Sequence, residues 1–171
     1  MSAALEKQRI QAIVDAIAER LDGEWLLIGG ALVALWLDDR RTTEDVDIIG
    51  LRGLPEERYA LLQLADDLGL PIESLNSAAD FFVRRIDGWR DELRVLKRGS
   101  RSIVHRPTTT LFVLLKLRRL SARDLADCLA ALAREEEPVD PVRLRAALSA
   151  LTPTEDVDLE RRRRDLLAAL R

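Results

Sequence analysis

One cysteine, one histidine and three lysines occur in 171 residues, and each scarcity removes an explanation. With Cys128 alone no internal disulfide can form, and its alanine- and leucine-rich surroundings predict a small buried thiol. A zinc centre built on His105 lacks the partner histidines and cysteines it needs. No nucleophile elbow accompanies His105 either, which leaves Ser-His-Asp hydrolysis without its other members. No stretch approaches the roughly 20 apolar residues that cross a bilayer. The segment Met1 to Arg9 mixes charges of both signs and has no apolar run of signal-peptide length. These absences predict a soluble, cytoplasmic protein that makes no membrane contact.

Charge of one sign is lacking too. Lys and Arg number 27 against 30 Asp and Glu, a net charge of -3, so bulk charge gives no support for holding a long phosphate backbone. Lys7, Lys97 and Lys116 are the only lysines. The arginine excess reads as a coding bias of the source, although arginine is also the better bidentate phosphate ligand.

What is present is a globular composition, 47% apolar and 33% charged, of a length for one ordinary domain or a small α/β core with a helical appendage. Ile10, Ile13, Val14, Ile17 and Leu21 fall at helical spacing, which predicts a helix from Leu5 to Leu21. Trp25 to Ile28 is an apolar run ending in Gly29-Gly30, a buried strand feeding a tight turn, and Ala31 to Leu37 reads as a short helix. Val46 to Ile49 is a second strand, Pro55 to Leu68 a helix, Pro71 to Leu75 a third strand and Ala78 to Ile86 a helix. Leu93 to Lys97 and Ser102 to His105 flank Gly99-Ser100 as a hairpin. From Pro107 the pattern is helical: Thr108 to Leu120, a helix capped by Ser121, one opened by Asp140-Pro141, and a last one after Pro153 running to the end. The expected fold is therefore α/β (α+β). Residues 1–106 would form a small mixed-sheet core, and residues 107–171 a helical subdomain packed on it.

Chemistry concentrates between residues 28 and 48. Asp45 and Asp47 are separated by one residue in an apolar strand, so period-2 alternation puts both carboxylates on one face while Val46 and Ile48 point into the core. Two carboxylates that close call for a hard divalent cation, most simply Mg²⁺. Glycines in a strand-to-helix turn let a phosphate approach the backbone, where N–H groups at the helix start can hold it.

The order strand, Gly29-Gly30, short helix, then Arg41-Thr42-Thr43-Glu44-Asp45-Val46-Asp47 on a strand resembles the nucleotidyltransferase superfamily. It is most similar to small bacterial members related to abortive-infection and toxin–antitoxin nucleotidyltransferases. The resemblance implies transfer of a nucleotide from a nucleoside triphosphate to a hydroxyl on RNA, protein or a small molecule, with Mg²⁺ as cofactor and a cognate partner protein as a further candidate partner. It assigns Gly29 and Gly30 to the triphosphate, Asp45 and Asp47 to the metals, and Arg41 to the phosphates or to bracing the site. Lys116 with Arg123-Asp124-Leu125-Ala126-Asp127 is similar to a helical stretch of the same group. Two readings stay open there: a lysine reaching the nucleotide, oriented by Asp124 and Asp127, or an ion-pair network joining two helices. Active members add a third carboxylate from a neighbouring strand. Here the candidate is Glu73, with Glu92 on the hairpin second, and without that carboxylate the alternative is a nucleotide- or partner-binding module of weak or no turnover. The letters Thr-Glu-Asp-Val-Asp recur at Thr154 to Asp158 without strand or glycines, where Thr154 is expected to cap the last helix.

Overall fold

A computed structural model describes residues 4–170. Met1–Ala3, assigned above to the core, and Arg171, assigned to the last helix, lie outside the described residues. The chain divides between Pro107 and Thr108 into two compact units.

The first unit runs α1 (Lys7–Arg20), β1 (Gly23–Leu27), α2 (Gly29–Trp36), β2 (Val46–Gly50), α3 (Pro55–Asp67), β3 (Leu75–Asn76), α4 (Asp80–Val83), β4 (Leu93–Arg98) and β5 (Ser102–Pro107). Its five strands form one mixed sheet in the order β3-β2-β1-β5-β4. The two strands expected to be neighbours pair antiparallel, Leu27 opposite Ile48 and Trp25 opposite Gly50. On its other side β1 runs parallel to β5, with Trp25 beside Val104. β2 and β3 are parallel, with Asp47 beside Asn76.

This register sorts the side chains into two faces, because paired residues point the same way and neighbours along a strand point oppositely. Trp25, Leu27, Val46, Ile48, Leu75 and Val104 share one face and are all buried. Ser102 belongs to that face, and its hydroxyl donates to the Ile17 carbonyl of α1 at 3.1 Å. The buried stripe of α1 (Ile10, Ile13, Val14, Ile17 and Ala18) therefore covers this side. The opposite face carries Glu24, Asp47, Asn76 and His105 around buried Leu26 and Ile49, and this half-polar face holds the candidate site.

Two expectations need correction in this unit. Pro71 to Leu75 is not a strand: Ile72–Ser74 form a 3₁₀ turn, closed by the Ser74 N–H on the Pro71 carbonyl at 2.9 Å, and the strand begins only at Leu75. Pro71 sits at φ -53°, as its ring requires, and so opens a turn. The helix expected from Ala78 to Ile86 is a single turn, α4.

The second unit is helical: α5 (Thr109–Lys116), α6 (Ala122–Ala133), α7 (Pro141–Ser149) and α8 (Val157–Ala169). It opens at Thr108, one residue later than expected, because Pro107 closes β5. Val113, Leu117, Leu120, Cys128, Leu144, Leu148, Leu166 and Leu170 form its core. Ser121 and Asp140 cap α6 and α7 as the sequence suggests, accepting from the Asp124 and Arg143 N–H groups. The cap of α8 is Asp156, accepting from the Leu159 N–H at 3.0 Å, and not Thr154. Thr154 instead accepts from the Asp156 N–H at 3.2 Å, a local turn that passes the capping position two residues on. Among the described residues no helix is long and apolar enough to cross a membrane.

Burial among these leucines pushes the Cys128 thiol up to about 12. A group whose folded value exceeds its unfolded one keeps its stabilising effect below the unfolded value and loses it as pH rises toward the folded one. Native protein at pH 8 should therefore resist iodoacetamide, while denatured protein reacts at once. Mass spectrometry after a timed quench reads the difference, and equal labelling rates would contradict the buried thiol.

Candidate functional site

The Gly-Gly turn and the paired aspartates meet at the end of β1. The Ile28 N–H donates to the Asp47 carbonyl at 3.0 Å, extending the β1–β2 ladder by one residue and setting Gly29 over Asp47. Gly29 has φ +68°, and a Cβ built on it would lie 2.2 Å from Asp47 Oδ2. A Cβ on Gly30 would lie 2.9 Å from Thr43 Oγ1. Both glycines are therefore required by close approach, the first of them also by backbone conformation. The N-cap residue of the helix they open, α2, is Ile28, whose apolar side chain caps no N–H, and there is no acidic residue in the first turn. The positive end of α2 favours an anion beside it, and the Asp47 carboxylate lies against Gly29 there.

Asp45 directly precedes β2 and is exposed; Asp47, inside the strand, is half-buried. Asn76 ties the two together. It stands beside Asp47 in the parallel register, and its Nδ2 donates to Asp45 Oδ2 at 3.4 Å, so all three side chains occupy one face as the spacing predicts. Thr43 holds Asp45 from the other side, its hydroxyl donating to the Asp45 carbonyl at 3.1 Å and lying 3.2 Å from Oδ1. Thr43 is itself fixed by a two-way backbone bridge to Leu5. Arg41 is half-buried on the loop entering this bridge.

Glu73 is exposed in the 3₁₀ turn before β3, and the β3 residue that faces the aspartates is Asn76. Glu92 precedes β4, at the sheet edge opposite β3. Among the described residues no group of three or more His, Cys, Asp or Glu is placed to hold a metal. The donor set of Asp45 and Asp47 still fits Mg²⁺, which commonly takes one or two carboxylates and completes its octahedron with water and substrate phosphates. His105 pairs with Glu24, Nε2 to Oε2 2.7 Å.

In the helical unit Lys116 Nζ donates to Asp124 Oδ1 at 2.9 Å and to Asp127 Oδ2 at 3.1 Å. Arg119 binds both oxygens of Asp124, and Ser121 adds its N–H and hydroxyl. Asp124 is 2% exposed. Burial alone would raise its carboxyl; the hydrogen bonds from Arg119, Lys116 and Ser121 outweigh that and hold it well below the usual carboxylate range. These bonds join α5 to α6, and a lysine oriented by Asp124 and Asp127 is common to both readings of this stretch.

Asn76 and Thr43 were not singled out from the sequence. The alternation of buried Leu75 with Asn76 was the available signal for the first, obscured by placing the strand too early. No known protein family, no curated protein and no solved structure matches this chain.

Proposed function

We propose that the protein is a Mg²⁺-dependent nucleotidyltransferase that moves a nucleotide from a nucleoside triphosphate to a hydroxyl acceptor. The observation that carries this reading is the close approach of Gly29 to Asp47, which sets the glycine-opened start of α2 beside the two aspartates. The N–H groups of Gly30 and the residues after it would hold triphosphate oxygens, with Arg41 adding positive charge. Asp45 and Asp47 would hold the metal, which when bound neutralises the phosphate charge and aligns attacking and leaving oxygens. Thr43 and Asn76 keep Asp45 oriented toward it. The acceptor oxygen forms a bond to the α-phosphorus as the bond to the β-phosphate bridging oxygen breaks. Pyrophosphate leaves with the electron pair, and the hydroxyl proton passes to the exposed Asp45 carboxylate.

The double variant Asp45→Asn/Asp47→Asn tests the site. With Mg²⁺ and triphosphate at about a hundred times Kd, wild type should gain about 2.7 kcal/mol, a rise of several degrees in melting temperature. The double variant should gain nothing; an equal gain would put the metal elsewhere. A second reading, nucleotide or partner binding with little turnover, is favoured by Asn76 standing where a neighbouring-strand carboxylate would stand. Transfer of label from an α-labelled triphosphate separates the two readings.

A further inference from the structure

Beside β3 a groove of about 530 Å³ opens at the surface of the first unit, lined by Arg58, Ser77, Ala78, Phe81 and Arg85 together with the Asp80–Arg84 pair. It begins one residue past Asn76, whose Oδ1 accepts from the Ala78 N–H at 3.2 Å while its Nδ2 reaches Asp45. The groove therefore starts at the residue next to one that binds Asp45.

Its chemistry is unusual for a protein of net negative charge. Arg84 is committed inward: it donates to Asp80 at 2.8 Å and to the Gly50 carbonyl at 3.0 Å, fixing the single turn of α4 against β2. So anchored, α4 turns Phe81 outward at 56% exposure, and Phe82 at 48% meets it edge-on at 5.5 Å. The Arg85 guanidinium stacks 4.0 Å from the Phe81 ring centre. Arg58 is 67% exposed and 3.9 Å from Asp80, which already serves Arg84. Two exposed guanidiniums thus stand at an exposed aromatic ring; Arg85 covers one of its faces, and Phe81 still keeps more than half of its surface open. An apolar partner would use the ring and leave the charges unmatched; an acidic peptide would use the charges and leave the ring wet. A stacked base with its flanking phosphates uses both.

We propose that this groove binds the end of a single-stranded polynucleotide, a base stacking on Phe81 and phosphates pairing with Arg58 and Arg85. Such a strand is then the hydroxyl acceptor for Asp45 and Asp47; this second half rests on the transfer reading, the binding itself does not.

Fluorescence anisotropy with a labelled single-stranded RNA of about eight nucleotides, without triphosphate, tests it. Phe81→Leu should weaken binding about tenfold by removing the stacking face. Two phosphate contacts on a single strand give a salt slope of about -1.4, and Arg58→Gln/Arg85→Gln should flatten it toward zero. All three side chains are exposed, and unchanged melting temperatures will show that the variants fold. Variants that bind RNA like wild type would overturn the proposal, as would polyglutamate competing as well as unlabelled RNA. The Asp45→Asn/Asp47→Asn variant should keep RNA binding. If wild type shows groove-dependent RNA binding and no triphosphate-linked stabilisation, the acceptor half falls with the transfer reading while the binding half stands.

Discussion

Lys116→Met should lower the melting temperature of the helical unit by about 15 °C. The lysine stands between two carboxylates that are almost wholly buried, and its own side chain is 13% exposed. Removing the lysine takes one cationic partner from each of two buried carboxylates, at a cost of about 3 kcal/mol, and a unit of this size shifts by about 4–8 °C per kcal/mol. Methionine keeps most of the stem's volume and removes the ammonium, together with its contact 5.2 Å from the Phe112 ring centre, so the loss reports the charge. The same network sets an acid limit. Asp124 has a folded value below its ordinary 3.8, so its contribution is fully present above that pH and is lost as pH falls through the lower folded value. Asp124→Asn should remove that acid-dependent part while destabilising the unit at neutral pH. Circular dichroism melts between pH 2 and pH 7 measure both. A Lys116→Met protein that melts like wild type yet loses triphosphate-linked stabilisation would restore the lysine to the nucleotide site.

Gly29→Ala should abolish triphosphate-linked stabilisation while leaving a folded protein. Two costs coincide at that position. A left-handed backbone costs an L side chain about 1–2 kcal/mol, and the new methyl would fall 2.2 Å from Asp47 Oδ2, driving the carboxylate from its place. Gly69→Ala is the matched control. Its φ is +63° but nothing lies within 4 Å, so it should pay the backbone cost alone and keep the nucleotide response. Calorimetric titration of both variants with Mg²⁺ and triphosphate reads the difference. Equal retention in the two would mean that the Gly29–Asp47 contact has no part in binding.

That contact was half legible in the sequence. The order of strand, glycines and paired acids put Gly29 and Asp47 on neighbouring strand ends, and the period-2 rhythm of buried Val46 and Ile48 leaves Asp47 little choice of face. The antiparallel pairing of β1 with β2 was legible for the same reason. The third strand was not. It has two residues, too short for any periodicity to declare, and the apolar Ile72 ahead of it is 62% exposed, so hydrophobicity pointed to the wrong segment. Glu73 was named on that error. The groove was invisible for a different reason: the bond of Arg84 to Gly50 and the exposure of Phe81 and Phe82 are tertiary features with no local signal in the sequence. In the helical unit the charges of Lys116, Asp124 and Asp127 were recognised, but whether they face a ligand or one another is a matter of burial, which letters do not carry.

The strand order also dictates a timetable. β1 bonds β2 early in the chain but waits for β5 on its other edge, where Trp25 pairs with Val104. During synthesis the elements that place Gly29, Asp45, Asp47 and Asn76 are all made before the central strand acquires its second neighbour. Until then Trp25-Leu26-Leu27 presents a bare row of N–H and C=O groups, an edge on which other chains can template. Closing so distant a pair is slow compared with forming the local helical contacts beyond Thr108. Slow release from the ribosome near residue 100, or truncation there, should thus yield aggregates and no half-stable core, whereas chains completed past Pro107 should fold cleanly.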